Sequence, residues 1–138
     1  MSTNENRFMT DERVMIREVA REFTMKEVLP IANKLDPVQG EIPASLREKI
    51  SEMGYFGIRI PEEYGGSGLG CFEYCLIAEQ LARGWMSVAS LIARGNGTLM
   101  IDLLPQEQRQ SILPRVANGD YLAALSLSEP DTGSDLAS

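Results

Sequence analysis

The chain closes on LSLSEPDTGSDLAS, where Ser126, Ser128, Ser134, Gly133 and the carboxylates Glu129, Asp131 and Asp135 crowd into one polar turn. Successive backbone N–H groups of a Gly-Ser turn can converge on an anion, and a serine hydroxyl can donate to or accept from a ring heteroatom. The carboxylates oppose that use unless they point away or cap backbone. On residue types alone, an acidic solvated turn is favoured over a cofactor contact. A second cluster, Gly65, Gly66, Gly68 and Gly70, fits neither GxGxxG nor a P-loop, and no lysine follows to meet a phosphate. A tight surface turn is expected there. Cys71 and Cys75 sit on neighbouring turns of a helix, and two thiols without further ligands make a poor zinc site. They are expected as apolar packing in a reducing compartment, and no metal site is expected.

The composition narrows the chemistry further. The sequence has no histidine, so triads with a histidine base, HExxH zinc sites and histidine acid catalysis are excluded within it. Its 13 basic and 20 acidic residues give a net charge of −7, which disfavours nucleic acid or anionic membrane as a partner. With 138 residues, 43% of them hydrophobic, the chain suits one globular domain. No apolar run approaches the roughly 20 residues of a membrane span, and MSTNENRFMTDER lacks the apolar centre of a secretory signal. A cytoplasmic protein is the expectation.

The elements that must position these residues are mostly helical. Thr10 is the expected N-cap of a long helix whose stripe runs Ile16, Val19, Ala20, Phe23 and then Val28, Ile31, Ala32, Leu35, with a kink at Pro30. A second helix opens at Pro43, carries Leu46, Ile50 and Met53 on one face and stops at Gly54. A third places Tyr74, Ile77, Ala78 and Leu81 together and ends at Gly84, a fourth covers about 87–103, and a fifth runs from Pro105 to Gly119, bent or shortened by Pro114. Only DYLAALSLS reads as a strand, by its alternation. A lone strand leaves its backbone groups unpaired, so the chain is expected to enter a second, β-rich domain there.

The segments IPEEYGGSGLGCFEYCLIAEQLARG, PQEQRQSILPRVANGDYLAALSLSEP and above all SLSEPDTGSDLAS resemble, in that order and spacing, the amino-terminal half of an acyl-CoA dehydrogenase. The most specific part is Ser128, Glu129, Pro130, Gly133, Ser134 and Asp135, similar to the family's flavin-domain signature. The resemblance implies a mainly α fold, with the amino-terminal helical bundle over 1–120 and the start of the middle β domain, a short β stub, over 121–138. It implies an FAD flavoprotein that oxidises the Cα–Cβ bond of an acyl-CoA thioester to the 2-enoyl-CoA and passes electrons to an acceptor flavoprotein.

By the same resemblance, Leu125, Ser126, Leu127, Ser128, Gly133 and Ser134 contact the cofactor, and Ser134 also lies near the CoA ligand. Leu125 departs from the family pattern, which puts any stacking role there in doubt. Ala89, Ser90, Ala93 and Gly97 fall on the helix that lines the acyl pocket in relatives. Ala89, Ala93 and Gly97 form a stripe of small side chains that suits close helix packing equally well. Arg83 resembles the position at which glutaryl-CoA dehydrogenases hold a distal carboxylate, although an arginine near a helix C-terminus is ordinary.

The family's usual glutamate base belongs to a carboxy-terminal bundle, so no catalytic residue is assigned, and Glu62, Glu63, Glu73, Glu79 and Glu129 are not bases. The chain alone is expected to be inactive and to bind FAD weakly or not at all. Apolar faces that other domains would cover favour a homo-oligomer. The rival reading is a non-catalytic helical binding or assembly module of the same ancestry.

Overall fold

The computed structural model describes residues 7–97, 104–124, 126, 128–130 and 133–134. Helix α1, Asp11–Phe23, starts where expected: the Thr10 hydroxyl accepts from the Arg13 N–H at 3.3 Å, and Asp11 and Glu12 occupy the positive end of the dipole. The helical path continues to Leu35, but its irregularity precedes Pro30. Residues Thr24–Val28 form a wide π turn, in which the Leu29 N–H bonds to the carbonyl of Thr24 five residues back, before α2, Leu29–Leu35. Pro30 has no N–H to give, and a wide turn is one way a helix absorbs such a gap.

Helix α3, Ala44–Glu52, buries Leu46 and Ile50. It stops at Gly54, whose φ of +71° is left-handed and suits glycine. Helices α4, Cys71–Gly84, and α5, Met86–Asn96, complete the main core, where Ala20, Phe23 and Val28 meet Ile77, Leu81, Val88 and Ile92. Phe23 and Tyr55 meet edge to face, their centroids 5.6 Å apart. Gly84 allows α4 to approach the wide turn, since a Cβ there would lie 2.4 Å from Thr24 Cγ2. Helix α6, Gln106–Ala117, adds Leu113, Val116 and Ala117 to a smaller cluster around Ile60.

Two polar side chains tie these helices. Asn96, 2% exposed, donates through Nδ2 to the Tyr55 and Ile92 carbonyls at 2.7 and 3.0 Å, while its Oδ1 accepts from the Arg59 N–H at 3.0 Å. Glu73 accepts from the Gly70 N–H at 3.0 Å, closing the start of α4, and from Arg13 Nε at 2.6 Å, which joins α4 to α1. The Arg13 hydrogen bond, helped by backbone N–H groups, holds the Glu73 carboxyl below its ordinary range.

Several expectations are corrected. Among the described residues no strand forms: 121–124, Ser126 and Ser128 lack regular structure, and Glu129 makes only an isolated bridge. The described residues supply no second strand against which an alternating segment could satisfy its backbone groups. Leu125 and Leu127 lie outside the described residues, as does 98–103; α5 ends at Asn96, because Gly97 leaves helical backbone with φ −72° and ψ 64°, where the expected helix over 87–103 would have continued. Pro114 does not shorten α6, because it occupies an exposed position where water can serve the unbonded carbonyl. Val19, placed on the apolar stripe by spacing, is 45% exposed. No helix among the described residues is long and apolar enough to cross a membrane.

Replacing Asn96 with alanine leaves two buried backbone groups without partners, so urea denaturation of Asn96→Ala should show a loss of about 2–4 kcal/mol. Glu73 gives a pH test with a defined sign. Because its folded value is depressed, its contribution is full above the unfolded value near 4.5 and is lost as pH falls through the folded value. Glu73→Gln should cost about 1 kcal/mol at pH 7 and flatten the acid limb of stability measured between pH 6 and pH 3.

Candidate functional site

The junction of α4 and α5 is shaped by one indole. Trp85 turns to extended backbone, φ −159° and ψ 112°, ending α4 and releasing α5 in a new direction. Its side chain is 5% exposed, and its Nε1–H donates to Asp36 Oδ1 at 2.7 Å, fixing the junction against the end of α2. Beside it opens a concave region of about 780 Å³. The link between α2 and α3 supplies Gly40, Glu41 and Ile42, and α3 supplies Arg47. The junction supplies Trp85 and Met86, while α5 supplies Ser87, Ser90, Leu91 and Arg94. The α5 members recur at three and four residues, which puts them on one face.

This groove combines an apolar floor, from Trp85, Ile42 and Leu91, with hydroxyls and two guanidinium groups. Arg47 and Arg94 are exposed, and among the described residues neither enters an ion pair. Glu41 is the one carboxylate among the lining residues. Such a surface can hold an elongated molecule with an apolar body and an anionic group.

The expected site residues are distributed unevenly. Ser90 lines the groove, whereas Ala89 is buried in the main core, Ala93 is half-buried and Gly97 is exposed beyond the end of α5. The small stripe and Ser90 therefore serve different sides of one helix. Arg83 is exposed in the last turn of α4 and is not among the groove's lining residues. Ser126, Ser128, Gly133 and Ser134 are all exposed, and a Cβ added at Gly133 would meet nothing within 4 Å. Arg47, Arg94 and Trp85 escaped the sequence reading. The spacing of Ser87, Ser90, Leu91 and Arg94 carried part of the signal, but nothing local links Arg47 to α5.

Glu62, Glu63, Glu79 and Glu129 are exposed, and Glu73 is committed to Arg13 and Gly70. Burial pushes the Tyr55 phenol up to about 12 and, together with Cys75, raises that of Tyr74, so both stay neutral at pH 7. Among the described residues the arrangement presents no poised base.

The cysteines require a correction. Cys71 and Cys75 are free and exposed rather than packed, because α4 turns Leu76, Ile77, Gln80 and Leu81 inward and the cysteine face outward. The two share a helix face, as their spacing requires, and that face is the solvent face.

Residues 10–120 match the family model described as acyl-CoA dehydrogenase, N-terminal domain. The chain belongs to the acyl-CoA dehydrogenase family. It is 37% identical over 133 residues to a benzylmalonyl-CoA dehydrogenase of Aromatoleum aromaticum, which covers 94% of this chain and 35% of that protein. The solved glutaryl-coenzyme A dehydrogenase in complex with glutaryl-CoA superposes with a TM-score of 0.82 at 25% identity, over 99% of this chain and 35% of that one. An acyl-CoA dehydrogenase of Bacillus anthracis complexed with FAD gives 0.79 at 33% identity, over 98% and 23%. The chain thus spans about a third of the length of the curated relatives it matches. The helical architecture agrees with these neighbours, which are oxidoreductases.

Exposure of both cysteines has a direct consequence. A thiol reagent such as 5,5′-dithiobis(2-nitrobenzoate) should titrate 2 thiols per chain without denaturant. Titration of either only after unfolding would contradict the orientation of α4.

Proposed function

We propose that this chain is the amino-terminal helical part of an FAD-dependent acyl-CoA dehydrogenase, and that its groove receives the acyl portion of the thioester. The family match across residues 10–120 carries the reading. The parent reaction oxidises the Cα–Cβ bond of an acyl-CoA to the 2-enoyl-CoA and hands electrons to an acceptor flavoprotein, in a cytoplasmic homo-oligomer. The name of the Aromatoleum relative, benzylmalonyl-CoA dehydrogenase, and that of the glutaryl-CoA complex support an acyl-CoA substrate.

The residues toward the cofactor are compatible with one. Ser126, Ser128 and Ser134 expose hydroxyls able to donate or accept, and Gly133 stands in open space, so backbone there can be approached closely. FAD, when bound, would accept the hydride from the substrate's Cβ. In this reading Ser128, with Leu125, Ser126 and Leu127, meets the ring, while Gly133 and Ser134 lie toward the pyrophosphate and CoA. The chain's own contribution is binding and orientation: Trp85 fixes the groove wall, Ser90 presents its hydroxyl, and Ala89 and Ala93 keep α5 slim, with Gly97 following its end. Proton removal from Cα falls to a carboxylate outside the described residues. The second reading is a binding module of the same ancestry without redox chemistry.

The two readings separate in one experiment. The complete gene product should be yellow as purified, and octanoyl-, isovaleryl- or glutaryl-CoA should bleach its flavin under anaerobic conditions. The 138-residue chain alone should bind FAD at least about tenfold more weakly and give no turnover with any of these thioesters and an artificial acceptor. A colourless complete protein would favour the binding module, and turnover by the short chain would overturn the assignment of the base to another segment.

A further inference from the structure

We propose that the groove between α3 and α5 holds a carboxylate at the distal end of the acyl chain, so that the preferred thioester is dicarboxylic. The inference rests on the acyl-CoA reading above and deepens it. The carrying observation is that Arg47 and Arg94, from two different helices, both line one concavity of about 780 Å³. Neither has an ion-pair partner among the described residues, so both guanidinium groups keep their donors for a ligand.

Charge supports the same conclusion. In a chain of net charge −7, the groove sets two arginines against the single carboxylate of Glu41 and is locally positive. Arg47 and Arg94 are both exposed at this open groove, and a carboxylate meets a guanidinium fork with two parallel hydrogen bonds. Ser87 and Ser90 add hydroxyl donors on the same helix face, and the Trp85, Ile42 and Leu91 floor suits a methylene spacer. A wholly aliphatic acyl chain makes no use of the guanidinium groups or the hydroxyls, whereas a distal carboxylate accepts from them. Arg83 stands outside this lining, so it is a separate candidate that the test must include.

Anionic oxygens could come from the acyl end or from the phosphates of CoA, and the two sources are separable. The holoenzyme is assayed with butyryl-CoA and glutaryl-CoA, which share CoA and differ at the distal carboxylate. The expected ratio of kcat/KM, glutaryl over butyryl, exceeds one and falls by about tenfold or more in Arg94→Gln and in Arg47→Gln, with a smaller fall in Arg94→Lys, which keeps charge without the fork. Equal losses for both thioesters would assign the arginines to the CoA phosphates and overturn the proposal. A ratio below one, a ratio untouched by either variant, or a fall confined to Arg83→Gln would also overturn it while leaving the dehydrogenase reading intact. No flavin reduction by either thioester would overturn that reading and this inference together.

Discussion

The buried amide of Asn96 is the constraint on which the rest of the architecture turns. It closes α5 and at the same time satisfies the carbonyl of Tyr55 and the N–H of Arg59, in the irregular segment that joins α3 to α4. That segment buries Tyr55, Phe56, Ile58 and Ile60; turn hydrogen bonds such as Leu69 N–H to the Ile58 carbonyl meet much of its backbone, and the Tyr55 carbonyl and Arg59 N–H are met by the Asn96 side chain. The adjacent Gly95 brings α5 against it, since a Cβ there would stand 2.5 Å from the Phe56 carbonyl oxygen. The end of one helix and an irregular loop are thereby packed as a single layer, with α6 laid over Ile60 beyond it.

Polar ties elsewhere follow the same logic, each placed where a helix changes direction. Glu73 secures the start of α4 to α1, and Trp85 secures its end to Asp36. Between them, α4 is held at both termini while its middle supplies Ile77 and Leu81 to the core. The hydrophobic contacts provide most of the free energy, but they are non-directional. The few buried hydrogen bonds choose which of several similar packings forms, because an alternative would strand their donors and acceptors.

Much of this was legible in the residues and some was not. Thr10, Pro43, Gly54 and Gly119 punctuate helices through local chemistry, so their meaning can be read without the fold. The core faces of α3 and α4 follow from periodicity. Val19, Cys71 and Cys75 are exposed for a related reason: period places residues on a face, while tertiary packing decides which face is buried and how wide the buried arc is. The π turn before Pro30 packs Thr24 against Gly84, a contact sixty residues apart in sequence and invisible to any window. Within the site, Ser90 was found by resemblance. Arg47 was missed because only the fold brings α3 alongside α5.

The same geometry explains why core and groove are inseparable on α5. Val88, Ala89 and Ile92 look into the core, whereas Ser87, Ser90 and Arg94 look into the groove, an interval of one or two residues separating the two sets. A helix turns about 100° per residue, so a slip of one position would carry Arg94 away from Arg47 and force a polar side chain inward. Asn96 and Gly95 forbid that slip, the first because its buried hydrogen bonds exist in one register, the second because no larger residue fits against the Phe56 carbonyl. The charge pattern of the groove is therefore set by interactions on the opposite side of the helix, and a substitution in the core can alter it without touching a groove residue.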